Sequence, residues 1–141
     1  MTDVVLTGSA VYKPVVLLAE DDPLLQNMYK TKFENEGFSV IVVSDGVLAV
    51  EQVQKKKPDC IVMDIMMPRM SGFDALEKIR LLPGANEIPV LMFTNLSTPE
   101  TVARGVALGV QGFLIKTDVT PREVAIKVKE FITQKKVKST A

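Results

Sequence analysis

Carboxylates, a hydroxyl and an ammonium follow four separate apolar runs of this 141-residue chain. Glu20, Asp21 and Asp22 follow Val15–Ala19, and Asp64 follows Cys60–Met63. Thr94 and Asn95 follow Val90–Phe93, and Lys116 and Thr117 follow Gly112–Ile115. Two or three carboxylates brought together repel one another unless a cation lies among them. A hard oxygen set that leaves room for water suits Mg²⁺. With a metal beside Asp64, Lys116 opposite would neutralise an incoming phosphoryl group from the other side, and Thr94 could donate a hydrogen bond to one of its oxygens. Phosphoryl transfer needs mainly positioning and charge stabilisation, so this inventory nearly suffices. The chain has no histidine, which excludes His-dependent triads and histidine-built zinc sites. Any base must be a carboxylate, a lysine or water.

These groups meet only if the runs that precede them lie side by side. The runs, with Ser39–Val43 as a fifth, are short, rich in Val, Ile and Leu, and alternate little, as strands buried on both faces of a parallel sheet do. Helical stripes separate them: Leu24, Leu25, Met28 and Phe33; Val47, Leu48, Val50 and Val53; Phe73, Leu76 and Ile79; Val102, Val106 and Leu108; Val124, Val128 and Phe131. Asp22-Pro23, Thr98-Pro99 and Thr120-Pro121 each set a capping side chain before a proline at the first helical position. Thr120 and Glu123 have capping-box spacing, and Ser71 with Asp74 is a weaker version. Stops fall at Gly37, near Pro83-Gly84, and at Gly109. The order is βα five times over, an α/β fold with a parallel sheet covered by helices on both faces. Its strands end on one edge, where sites form.

The bulk properties are ordinary. Lys plus Arg and Asp plus Glu both number 17, so the net charge is zero and nothing argues for a nucleic acid partner. Cys60 is the single cysteine, so no internal disulfide forms, and it reads as a small buried hydrophobe. No run is long enough to span a membrane, and the first residues lack the pattern of a secretory signal. A soluble, cytoplasmic protein is the expectation, with residues 1–13 and 135–141 as tails around one domain at 14–134. Taken singly, each site residue has a plainer reading: Asp22 as a helix cap, Thr94 as a β-branched strand residue, Lys116 as a surface lysine, Phe113 as core.

Taken together, VLLAEDDPLL (16–25), IVMDIMMPRMSGFD (61–74), LMFTN (91–95) and GFLIK (112–116) resemble the response-regulator receiver domain of two-component signalling. The resemblance covers nearly all of residues 14–134. It implies a chemotaxis-regulator-like, flavodoxin-like (βα)5 fold with strand order 2-1-3-4-5. Asp64 then resembles the phosphorylated aspartate. Glu20 and Asp21 resemble the acidic pair that holds Mg²⁺, with Asp64 and the main-chain carbonyl of Met66 as further ligands. Thr94 resembles the switch hydroxyl, Phe113 the switch aromatic and Lys116 the lysine that pairs with the phosphoryl group. A sensor histidine kinase or histidine phosphotransfer domain would be the donor and a downstream effector protein the reader. Self-catalysed phosphorylation and dephosphorylation, rather than turnover of a separate substrate, would be the chemistry. A stand-alone receiver, monomeric or weakly dimeric, without nucleic acid or membrane as partner, is the expectation. An interaction module that is never phosphorylated, a small phosphatase and a flavin-binding protein compete with this reading. The intact acids and lysine oppose the first, the lack of a second aspartate at Met66 the second, and the acidic first loop the third.

Two departures from the family pattern carry their own expectations. Thr117 stands where the family has a proline joined by a cis bond. A cis bond costs about 2.5–4 kcal/mol before a non-proline residue against about 0.5–1 before proline, which predicts a trans bond here. Asn95 stands where the family has a small residue. Met66 and Leu96 occupy the positions that orient the hydrolytic water, and both are apolar, which predicts slow self-dephosphorylation.

Overall fold

The computed structural model describes residues 5–7 and 10–140, with side chains at 12–134. Seven strands and five helices alternate along it: β1 (Val5–Thr7), β2 (Ala10–Tyr12), β3 (Val15–Ala19), α1 (Pro23–Asn35), β4 (Ser39–Val43), α2 (Gly46–Lys55), β5 (Cys60–Met63), α3 (Gly72–Arg80), β6 (Val90–Thr94), α4 (Pro99–Ala107), β7 (Gly112–Ile115) and α5 (Pro121–Thr140). The main sheet is wholly parallel in the order β4-β3-β5-β6-β7. Counted among its own members that is 2-1-3-4-5, as expected.

Alternation along the central strands divides the core in two. Leu17, Ile61, Met63, Val90 and Met92 face one side, against Ala49 and Val53 of α2 and Phe73, Leu76 and Ile79 of α3. Val16, Leu18, Val62, Leu91 and Phe93 face the other, against Tyr29 and Phe33 of α1 and Val124 and Val128 of α5. Adjacent residues of a strand point to opposite faces, so a strand buried on both sides must be apolar throughout. Cys60 is one such residue, fully buried.

The caps form as chemistry dictates. Asp22 accepts from Leu24 N at 2.9 Å, and Thr98 from Thr101 N at 3.2 Å. Thr120 and Glu123 complete both halves of a capping box. Ser71 makes only its half, accepting from Asp74 N, because the Asp74 carboxylate goes to Arg104 of α4 instead. Gly37 and Gly109 end α1 and α4 at positive φ, 97° and 75°.

Four expectations need correction. Of the α1 stripe, Leu25 and Phe33 turn inward as expected, Tyr29 joins them, and Leu24 and Met28 face solvent. In α4, Val102 and Val106 are exposed and Thr101 and Gly105 are buried. Gly105 turns inward because the Phe113 ring lies against it: a Cβ there would stand 2.3 Å from Phe113 Cζ. Residues 5–7 and 10–12, expected within a tail, pair as a small antiparallel hairpin separate from the main sheet. Its last residue, Tyr12, donates its hydroxyl hydrogen bond to Asp59, which also accepts from Val15 N at 2.7 Å. Finally, α5 continues past residue 134 to Thr140, through a stretch whose Gln and Lys residues are good helix formers.

Candidate functional site

Glu20, Asp64 and Lys116 lie at or just beyond the carboxyl ends of β3, β5 and β7, and parallel pairing sets those ends side by side. Asp64 N donates to Ala19 O at 3.0 Å, and Glu20 N to Val43 O at 3.0 Å, so both acids are fixed by the sheet's own ladder. Lys116 Nζ reaches Asp64 Oδ2 and Glu20 Oε1, each at 2.6 Å. It also lies 5.6 Å from the centre of the Phe93 ring, whose face favours a cation. Met66 N approaches Asp64 Oδ1 at 3.3 Å, and Asp22 N donates to Glu20 Oε2 at 2.9 Å.

One carboxylate oxygen from each of Glu20, Asp21 and Asp64 falls within 4.8 Å of the others. Glu20 and Asp64 are buried and Asp21 is exposed, so the cluster opens to solvent on one side. Glu20 Oε1 has Lys116 as a charge partner but no well-directed hydrogen bond. Such an under-satisfied oxygen, in an all-oxygen donor set, fits a hard divalent cation. Burial pushes the Glu20 carboxyl up from its ordinary value, against the pull of Lys116. Burial acts to lower Lys116, but the carboxylates of Asp64 and Glu20 outweigh it and hold the ammonium above its ordinary value. The lysine stays charged, and Asp64 and Glu20 share it.

Thr94 is buried at the end of β6, its hydroxyl accepting from Leu96 N at 3.1 Å. Phe113 is half-buried on β7 against Gly105, on the same side as the α3 core. Asp22 is the α1 cap and lies outside the carboxylate cluster. The structure therefore gathers Glu20, Asp21, Asp64 and Lys116 around one point, with Thr94 on the neighbouring strand and Phe113 behind it.

No peptide bond among the described residues is cis, the Lys116–Thr117 bond included. Residues 116–118 form a single 3-10 turn. Unlike proline, Thr117 carries an N–H, and that N–H donates to Asn95 Oδ1 at 3.3 Å. The two departures noted in the sequence are thus partners in space: the residue after Thr94 receives the donor that follows Lys116. Sequence reading also missed Asp45, which caps α2 through Leu48 N at 2.9 Å and pairs with Arg69 Nε at 2.8 Å. The Asp45-Gly46 pair before an apolar stripe was the available signal. Gly72 is needed because a Cβ there would lie 2.2 Å from Asp64 O.

The family model for the response regulator receiver domain matches residues 16–129. The chain is 33% identical over 102 residues to the probable transcriptional regulatory protein TcrX of Mycobacterium tuberculosis, covering 72% of this chain and 42% of that one. It is 28% identical over 123 residues to the phosphate regulon transcriptional regulatory protein PhoB of Rhizobium meliloti, covering 87% and 54%. The chain thus spans about half the length of the curated relatives it matches. Chemotaxis protein CheY4 of Vibrio cholerae superposes with a TM-score of 0.80 at 28% identity, over 85% of this chain and 99% of that one.

Proposed function

The chain belongs to the response regulator receiver family, and from that premise we propose that Asp64 accepts a phosphoryl group and that the change is read by a partner protein. The observation that carries the reading is Lys116 Nζ held 2.6 Å from Asp64, inside a cluster of three carboxylates. A phosphohistidine of a sensor histidine kinase or phosphotransfer domain is the donor. An Asp64 oxygen attacks phosphorus, the new P–O bond forms as the P–N bond breaks, and the leaving imidazole keeps the electron pair and takes up a proton. Lys116 balances charge on the phosphoryl oxygens throughout. Glu20, Asp21, Asp64 and the Met66 carbonyl would hold Mg²⁺, which when bound would supply further positive charge beside the phosphoryl oxygens. The chain catalyses this step on itself and turns over no separate substrate.

Thr94 and Phe113 carry the switch. The Thr94 hydroxyl, now accepting from Leu96 N, has its own proton free to donate to a phosphoryl oxygen. Movement of Thr94 toward that oxygen changes the packing that Phe113 and Gly105 share. The changed surface is then read by an effector protein in the cytoplasm. Incubation with Mg²⁺ and a small acyl-phosphate donor tests the reading. The intact mass should rise by one phosphoryl group, and an unchanged mass would leave a receiver fold without receiver chemistry.

Two further outcomes follow. Met66 is exposed and Leu96 half-buried, and neither side chain can hold a water by hydrogen bonding. The phosphorylated protein should therefore lose its phosphoryl group slowly, at a rate left unchanged in Met66→Ala and Leu96→Ala when followed by intact mass. Fast loss from the unmodified protein contradicts this. Burial raises the Glu20 pKa, so the folded apo protein holds that proton more tightly than the unfolded chain does. The contribution of Glu20 to stability then falls as pH rises through the interval above its ordinary value of 4.5. Mg²⁺ needs the ionised form, so its affinity should weaken as pH is lowered through the same interval, and calorimetry at several pH values reads this directly.

A further inference from the structure

The loop between β5 and α3 runs from Asp64 past the Met66 carbonyl to Ser71, and it is held from outside as well as from within. Its far end is clamped by Gly72, whose N donates to Ile65 O at 2.7 Å. Its outer limb meets the first residue of α2: Gly46 N donates to Met70 O at 3.1 Å, and a Cβ at Gly46 would stand 2.3 Å from that same oxygen. Just before Met70 lies Arg69, at φ 64°, the non-glycine residue in the left-handed region among those described. An arginine adopts that conformation at a cost, and it persists where the surroundings over-determine it.

Met70 N donates to Pro68 O at 2.7 Å, closing a γ-turn centred on Arg69, and Asp45 holds the side chain that this turn presents. This carboxylate is buried, caps α2 with Oδ1, and receives Arg69 Nε on Oδ2 at 2.8 Å. Capping alone would use one oxygen and need no arginine. The second oxygen fastens the loop to the start of α2, which packs on the same face of the sheet as α3. The Met66 end has only the Met66 N contact to Asp64 Oδ1, at 3.3 Å. The loop is thus held at Met70 by Gly46, at Arg69 by Asp45 and at Gly72 by Ile65, with Met66 lying between these anchors.

Resting on the phosphoacceptor reading above, we propose that Asp45 and Arg69 form a latch that positions the Met66 carbonyl, so that this pair governs Mg²⁺ affinity without touching the ion. Both are positioning residues. Substituting residues that orient a metal's ligands from behind typically costs about 10–100-fold in affinity.

The test uses Asp45→Asn and Arg69→Gly, singly and together, in the full chain. Asn keeps the helix cap, and Gly accepts the backbone conformation, so each variant removes the latch with little else. Mg²⁺ affinity is measured by calorimetry, alongside the melting temperature without metal. Each single variant should raise the Mg²⁺ Kd by about tenfold, and the double variant no further than either. Electrostatics alone would act differently. Losing the arginine would tighten binding of a cation, and losing the aspartate would weaken it, so weakening in both identifies geometry as the cause. Unchanged affinity with a lowered melting temperature would make the pair merely structural and overturn the latch. Opposite shifts in the two variants would also overturn it. A wild-type protein that binds no Mg²⁺ would overturn the phosphoacceptor reading and the latch with it, which separates the two failures.

Discussion

Lys116→Met should slow phosphorylation of Asp64 by about 10²–10³-fold, the loss typical of removing one preorganised charge-stabilising group. Lys116 Nζ is shared by Asp64 and Glu20 at 2.6 Å to each, so the substitution removes two ion pairs at once. Methionine keeps an apolar stem of similar length but removes the ammonium that lies over Phe93 and leaves two buried carboxylates without it. Breaking one partner out of a buried pair costs roughly 3–5 kcal/mol. The Lys116 side chain keeps 14% of its exposure, which places the cost toward the lower end. The metal-free variant should therefore melt well below the wild type. A divalent cation would take over the role of the lost ammonium, so Mg²⁺ should restore stability far more in the variant than in the wild type. Restored stability without restored transfer rate would separate the structural part of Lys116 from its chemical part.

Asp64→Asn should abolish phosphoryl uptake while leaving the fold intact. The amide has nearly the same shape, and its oxygen can still accept from Lys116 Nζ or Met66 N, the two contacts that Asp64 makes with these groups. It cannot form the acyl phosphate. It also removes one of the three clustered negative charges, so Mg²⁺ should raise the melting temperature less than in the wild type. Intact mass after incubation with the acyl-phosphate donor reads the first effect, and melting with and without Mg²⁺ the second.

Much of this was legible in the residues. Parallel strands buried on both faces leave no room for polar side chains until they end, so the first polar residue after each run marks the site edge. That rule located Glu20, Asp64 and Lys116, each just past its strand, and Thr94 as the last residue of its own. Helix faces were less legible. In α1 the stripe could be read through Leu24 and Met28 or through Leu25, Tyr29 and Phe33, and both have helical spacing. Two aromatic rings bury more area than Leu24 and Met28 would, and they win. In α4 the inward face holds a threonine and a glycine, residues that a hydrophobic pattern passes over, because the partner there is the Phe113 ring. The loop contacts were not legible at all. Asp45 and Arg69 are 24 residues apart, and Asn95 and Thr117 are 22. Each pair joins two turns whose approach is set by strand order rather than by any local signal. Thr117 in place of proline was visible as an oddity, but that its N–H would be taken up by Asn95 required the fold.

The central claim is that one carboxylate, Asp64, receives the phosphoryl group. The most direct measurement is to phosphorylate the protein with Mg²⁺ and an acyl-phosphate donor, reduce the mixed anhydride with borohydride, and locate the modified residue by peptide fragmentation. Homoserine is expected at position 64, with Glu20, Asp21 and Thr94 unmodified. Modification at any of those three with Asp64 intact, or no modification anywhere, would contradict the claim.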